Sequence, residues 1–137
     1  MSHWRLYYHL VWATRQREML IAPTIEADLY AYLARKCQDH KANAYCINGI
    51  PDHVHLIVNI PPMIALAQFV KNLKGSSSHL MTHSFNLNFA WQSGYGAFTI
   101  SERNLSTAID YVRYQKEHHQ QGTTHPALEL VTDDRPE

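Results

Sequence analysis

Hydrophobic and polar positions alternate over residues 4–14. Trp4, Leu6, Tyr8, Leu10 and Trp12 fall on one side, and Arg5, Tyr7, His9 and Val11 on the other. A period of two, rich in aromatic residues, predicts a strand. The period then lengthens. Behind Pro23 and Thr24, the positions Ile25, Leu29, Tyr32 and Leu33, with the stem of Lys36, recur at helical spacing to about residue 39. Strands are expected again over 42–50 and 52–60, with Asn48-Gly49 as the tight turn between them and Pro51 limiting pairing at that end. Past Pro61-Pro62, the residues Ile64, Leu66, Ala67, Val70, Leu73 and Leu80 form one broad apolar face, which predicts a second helix over 63–85. Gly75 and the three serines after it predict a kink there, or a close approach to other backbone. Residues 83–94 read as a loop anchored by Phe89 and Trp91, 95–102 as a fourth strand and 105–119 as a last helix. The rest, with two prolines and four acids (Glu129, Asp133, Asp134 and Glu137), reads as a partly loose tail, so that a domain over 1–122 is followed by a tail over 123–137.

The order β-α-β-β-α-β followed by α predicts an α+β, ferredoxin-like fold: a four-stranded antiparallel sheet, two helices on one face, and an additional C-terminal helix. That fold serves many functions, so function has to be sought in a site. Composition narrows the search only a little. A chain of 137 residues is long enough for one domain with a real core. Twelve basic and twelve acidic residues give a net charge of zero, which argues against holding long duplex DNA by bulk electrostatics. Cys37 and Cys46 form no C-x-x-C pattern and read as free thiols of a reducing compartment. His3, Arg5 and His9 interrupt the N-terminal apolar run and spoil a secretory signal, and no stretch reaches the length of a membrane span. A cytoplasmic protein is expected. Ten histidines are the unusual feature, and they invite a metal hypothesis.

The stretch PDHVHLIVNI, residues 51–60, gives that hypothesis a place. On a strand, Val54, Leu56, Val58 and Ile60 share one face, and His53, His55, Ile57 and Asn59 the other. The aliphatic face is expected to pack on the two helices and the histidine face to be the open side of the sheet. Side chains at i and i+2 stand roughly 7 Å apart and lean the same way, so two imidazoles can close on one ion. With oxygen ligands they can hold Mg²⁺ or Mn²⁺. Two half-exposed sheet residues chosen for cross-strand contact would give the same H-x-H pattern. A nucleotide hydrolase of the histidine-triad kind needs a third histidine at the next alternate position, which is Ile57.

The last helix adds a second group. Tyr111 and Gln115 are i and i+4, with His118 on the same side, while Leu105, Ala108, Ile109, Val112 and the stem of Lys116 form the core-facing stripe. Tyr111 and Gln115 are therefore expected at the side of the helix. A phenol there serves packing or acts as a nucleophile, and with a pKa near 10 it needs a cation on the phosphate it attacks. Tyr114, over His118, is a rival nucleophile. His9 lines the same site if its strand neighbours that of the H-x-H pair, either supporting the ligands or serving packing, and Asp52, which precedes the first histidine, is a second expected support.

Together, PDHVHLIV, WQSGYGAFTIS and YVRYQKEHH, with YYHLVWATRQRE near the start and FVKNLKGSSSHLM between, resemble the HUH single-tyrosine transposases of the smallest bacterial insertion sequences and their relatives associated with repetitive extragenic palindromes. The likeness covers roughly residues 5–119. It implies Tyr111 as nucleophile and His53, His55 and Gln115 as ligands of Mg²⁺ or Mn²⁺. It also implies single-stranded DNA with hairpins as the substrate, and a homodimer in which one subunit's tyrosine helix completes the other's histidine pair. The chemistry implied is cleavage and rejoining of single-stranded DNA through a 5′-phosphotyrosine, in the cytoplasm of a bacterium.

Lys71, Lys74 and Ser76 in the second long helix, and Arg113 in the last, are the expected DNA contacts. Local phosphate contacts combined with base stacking suffice for a single strand even when net charge is zero. A solvated helix face would carry the same lysines. The other reading of the whole chain is a non-catalytic, single-stranded nucleic-acid-binding module of the same fold. Aromatic residues on the open sheet face would be its signature, and histidines stand there instead.

Overall fold

The computed structural model describes residues 2–131. The strands are β1 (Tyr7–Ala13), β2 (Asn43–Ile50), β3 (His53–Asn59) and β4 (Gly96–Ile100), and the helices α1 (Pro23–Asp39), α2 (Leu66–His83), α3 (Leu105–Arg113) and α4 (Gln115–Gln121). The sheet runs β2-β3-β1-β4 with every pair antiparallel, which is the expected ferredoxin-like α+β arrangement.

The pleat sorts the sheet into two faces. Leu10 and Trp12 of β1 and Val54, Leu56 and Val58 of β3 pack against Leu29 and Leu33 of α1 and Phe69, Val70 and Leu73 of α2. The other face carries His53, His55 and Ile57 on β3, with His9, Val11 and Ala13 opposite them on β1. This second face is not open. Tyr111 and Val112 of α3 close over Ile57, with Leu105, Ala108, Ile109 and Leu128 around them. Val131 closes over Val11 and Ala13 beside Phe98. The reason is apolar area: burying each such side chain is worth ~1.5–3 kcal/mol, and leaving a row of them in water would forfeit that. As a result His53 and His55 are buried, at 1% and 0% exposure, rather than half-exposed.

Three local expectations are corrected. Asn48 and Gly49 lie inside β2, and the turn falls on Pro51-Asp52. Gly49 is needed where it stands, because a Cβ there would lie 2.2 Å from the His53 carbonyl oxygen. Asn48 uses its amide to reach the last helical segment. That segment is broken: Tyr114 (φ −103°, ψ 27°) separates α3 from α4, and the Arg113 carbonyl accepts a hydrogen bond from Asn48 Nδ2 at 2.8 Å. By contrast α2 runs unbroken past Gly75. The hydroxyls of Ser76 and Ser77 donate back to the carbonyls of Asn72 and Leu73, which keeps them inside the helix.

The segment after α4 is built into the fold as far as Val131. Pro126–Glu129 forms a 3-10 turn, and Gly96 lets the following backbone approach so closely that a Cβ would lie 2.1 Å from the Leu130 carbonyl oxygen. The acids Asp133, Asp134 and Glu137 of the expected tail lie outside the described residues. Phe89 and Trp91 anchor the long loop as expected; Phe89 is buried, Trp91 bridges to Thr14, and its Nε1 donates to Ser77 Oγ at 2.9 Å. Among the described residues, no helix is long and apolar enough to cross a membrane.

Candidate active site

Because β1 and β3 are antiparallel neighbours with Val11 opposite His55, His9 stands diagonally beside His55 on the same face. Their rings meet, with His9 Nε2 2.7 Å from His55 Nδ1. Burial first, and then the nearness of His55, push the His9 pKa down to about 3, so this imidazole is neutral. Burial also lowers His55. The arrangement that satisfies both rings in the cation-free protein has His9 Nε2–H donating to His55 Nδ1 and His55 Nε2–H donating to Glu129 Oε2, so that it is the His55 Nε2 that faces the site.

His53 is held from the other side. Its Nδ1 lies 2.6 Å from Asp52 Oδ1, at the turn between β2 and β3. Burial alone would lower His53, but the hydrogen bonds to Asp52 and Glu129 outweigh it and raise the pKa to about 9. Burial raises Asp52, but the hydrogen bond to His53 prevails, with a lesser contribution from Arg17, and the net shift is downward. Both expected supporting residues, His9 and Asp52, thus fix the ring behind a histidine. Such partners orient metal-binding imidazoles.

Tyr111 and Gln115 come to the same place from above. Tyr111 is 7% exposed and Gln115 fully buried. The Tyr111 ring lies 6.0 Å from that of His55 and stacks on His118 at 4.9 Å. Gln115 Oε1 is 3.3 Å from His53 Nε2. Tyr111, Gln115, His53 and His55 therefore meet within one chain. Tyr114, at the helix break, is half exposed. A hollow of about 360 Å³ opens beside Tyr111, bordered by His9, Phe98, Asn104 and Thr107.

Two residues went unnoticed in the sequence. Glu129 Oε2 is 2.8 Å from His55 Nε2 and 3.2 Å from His53 Nε2. Its Oε1 accepts hydrogen bonds from Tyr111 Oη at 2.6 Å and Gln115 Nε2 at 3.3 Å. Burial would raise the Glu129 pKa, but the hydrogen bonds from His53 and His55 hold it well below the carboxylate range. Burial, and then the hydrogen bond to Glu129, raise Tyr111 to about 12. His119 Nε2 is 3.1 Å from Gln115 Oε1. The signal for Glu129 was the apolar run Ala127, Leu128, Leu130 and Val131 behind Pro126, in a stretch otherwise polar. Nothing in the spacing singled out His119.

The donor set suits a divalent cation. Ligand atoms of His53, His55 and Glu129 lie within 4.8 Å of one another. Both imidazoles present a nitrogen whose partner nitrogen is already engaged, and amide and carboxylate oxygens complete a mixed N/O set.

The expected DNA contacts lie away from this cluster. Lys71 borders two hollows beside α2, one of about 550 Å³ with Trp91 and Tyr95, the other of about 520 Å³ with Lys36 and His40. Lys74 Nζ donates to the carbonyls of Gln92 (2.7 Å) and Gly94 (2.8 Å), and burial lowers its pKa. Ser76 Oγ donates to the Asn72 carbonyl at 2.7 Å. Arg113 is exposed and pairs with Asp110 at 3.3 Å.

The chain is similar to the ISDra2 transposase TnpA of Deinococcus radiodurans, with 27% identity over 122 residues, 82% of this chain and 85% of the relative. It is 26% identical to the transposase of insertion sequence element IS200 of Salmonella typhimurium over 128 residues, 88% of this chain and 84% of the relative. In structure it resembles a candidate transposase from Deinococcus radiodurans R1, at a TM-score of 0.69 and 25% identity, covering 89% of this chain and 93% of that one. It shares the fold of a REP-associated tyrosine transposase solved with a REP hairpin, at a TM-score of 0.65 and 17% identity, covering 90% of this chain and 76% of that one. The family model described as "Transposase IS200 like" matches residues 2–115, a span that contains the histidine pair, the tyrosine and the glutamine just described. The chain belongs to the IS200-like family of HUH tyrosine transposases.

Proposed function

We propose that this transposase cleaves and rejoins single-stranded DNA through Tyr111. The observation that carries the reading is the meeting of Tyr111 Oη with His53, His55 and Gln115 in one hydrogen-bonded cluster. In the proposed step Tyr111 Oη bonds to phosphorus, and the bond from phosphorus to the 3′ oxygen breaks. The phenolic proton leaves toward Glu129 Oε1, and the departing 3′ oxygen takes a proton from solvent. The product is a 5′-phosphotyrosine, and a later 3′-hydroxyl reverses the exchange without ATP. His53, His55 and Gln115 would hold Mg²⁺ or Mn²⁺, which when bound offsets the charge gathering on the scissile phosphate. One phosphodiester replaces another, so positioning matters more than driving force.

Labelled single-stranded DNA from the ends of the element, incubated with the protein and Mg²⁺ or Mn²⁺, is expected to yield a protease-sensitive band on a denaturing gel that disappears with chelator. Tight native-gel binding of the same DNA without any such band would favour the non-catalytic binding module.

A hairpin contact is proposed by analogy with the REP hairpin bound by the relative of the same fold, and α2 is its proposed place because its lysines border the hollows on that face. Lys71, between a hollow lined by Trp91 and Tyr95 and one lined by Lys36 and His40, is its central cation, with Lys74 and Ser76 as further contacts, while Arg113 on α3, across the sheet, is proposed to meet the strand beside the tyrosine. Lys71→Glu is expected to weaken hairpin binding and flatten its salt dependence; unchanged affinity would remove α2 from the DNA path. A homodimer with shared active sites remains part of the proposal. Exchange would require α3 and α4 to give up the Asn48 bond to Arg113 and the Lys116 Nζ contacts with Glu26 (2.5 Å) and Asn48 (2.6 Å).

A further inference from the structure

We propose that Glu129 is a fourth protein ligand of the cation held by His53, His55 and Gln115 in the DNA-free protein, so that the segment from Pro126 to Val131 is a working part of the site. The proposal rests on the cation site proposed above and adds a carboxylate from beyond the span that the family model matches, which ends at residue 115.

The first argument is geometric. Donors on adjacent corners of an octahedral Mg²⁺ shell stand roughly 3 Å apart, given bonds of about 2.0–2.1 Å. The separations here are 2.8 Å from His55 Nε2 to Glu129 Oε2, 3.2 Å from His53 Nε2 to the same oxygen, and 3.3 Å from His53 Nε2 to Gln115 Oε1. These three separations match neighbouring corners of one shell. Four protein donors would still leave such a cation able to take an oxygen of the scissile phosphate.

The second argument is chemical. Two neutral imidazoles and an amide bring no charge to a divalent ion, and Mg²⁺ and Mn²⁺ favour carboxylate oxygen. Glu129 supplies one. Its carboxylate is oriented by Gln115 Nε2 and Tyr111 Oη, which both donate to Oε1 and leave Oε2 turned to the imidazoles. The nucleophile is thereby tied to the ligand set through one side chain.

The third argument is anchorage. Leu128 packs with Tyr111 and Val112, and Val131 with Val11 and Ala13. Arg17 donates to the Glu129 carbonyl at 3.3 Å, and Gly96 admits the Leu130 backbone. A carboxylate at the surface of a loose tail would lose side-chain and backbone entropy on binding an ion, whereas this one is already positioned.

The test is a Mn²⁺ titration of the full-length, DNA-free protein, followed by the EPR signal of free Mn²⁺, for wild type, Glu129→Gln, Glu129→Asp and His53→Ala, with thermal melts to verify folding. Glu129→Gln is expected to bind at least about tenfold more weakly, the lower end of what supporting partners of metal ligands cost. Glu129→Asp keeps the charge but is one methylene too short, and should weaken binding similarly. Wild-type affinity in Glu129→Asp would mean that the carboxylate acts through charge alone, which overturns the proposal. Wild-type affinity in Glu129→Gln, with binding lost in His53→Ala, would overturn it while leaving the cation site intact. Wild-type affinity in His53→Ala would remove the cation site itself, and this proposal with it.

Discussion

Tyr111→Phe is expected to abolish the covalent protein–DNA adduct altogether, and to lower strand cleavage by at least about 10³-fold, as loss of a nucleophile does in other enzymes. The substitution removes one oxygen and keeps the ring. The stack on His118 and the packing against Ile57 and Val112 therefore persist, and so should the fold. What is lost, besides the proposed nucleophile, is the hydrogen bond to Glu129 and the one accepted from the His125 amide at 3.0 Å. Leaving such groups unpaired costs ~1–3 kcal/mol, a drop of several degrees in melting temperature but not unfolding. The measurement is the denaturing gel with both proteins at equal concentration. An adduct that survives in Tyr111→Phe would identify another nucleophile, and Tyr114 would be examined next, although its half-exposed ring points the chemistry elsewhere.

His53→Ala should be nearly as damaging, with cleavage reduced more than about 100-fold and Mn²⁺ binding lost. Removing a proposed ligand ought to exceed the 10- to 100-fold effect of removing its hydrogen-bonded partner, and Asp52→Asn is expected inside that range. The proton balance gives a pH signature. In the cation-free protein His53 has a pKa of about 9, so it is protonated at neutral pH and donates to Asp52 and Glu129. A cation needs the neutral ring, so binding releases that proton, and Mn²⁺ affinity should rise with pH until about 9. The stability contribution runs the other way. A pKa raised from 6.5 to about 9 stabilises the cation-free fold fully below pH 6.5 and fades as pH rises through 9. Calorimetric titrations in buffers of different ionisation enthalpy measure the released proton. If no proton is released at pH 7, His53 does not exchange its proton for a cation.

Much of this site could be read from local periodicity. The alternation in PDHVHLIVNI places His53 and His55 on one face whatever the rest of the chain does, since the pleat repeats every two residues. Helical spacing likewise puts Tyr111 near Gln115, and the kink at Tyr114 bends the helix without separating them from the cluster. The neighbouring of β1 and β3 follows from the order of elements, and it brings His9 to His55.

Local pattern failed where the deciding partner is distant in the chain. An Asn-Gly pair prefers tight turns in isolation, yet Asn48 is drawn into β2 by pairing with β3 and by its bond to Arg113, 65 residues away. The histidine face looked open because the helices of the βαββαβ unit all lie on the other side. Its roof comes from α3, α4 and the segment beyond, whose docking depends on the apolar area of Val11, Ala13 and Ile57. Glu129 lies 74 residues from His55, and although the apolar run around it signals docking, nothing in that run says where its carboxylate will land. By itself the sequence determined the strands, the helices, the core faces and that His53 shares a face with His55 and Tyr111 a helix side with Gln115, because those depend on spacings of two to four residues. Only the tertiary structure decided that the site is roofed and carries a carboxylate at its centre, because that depends on which distant surfaces must be kept from water.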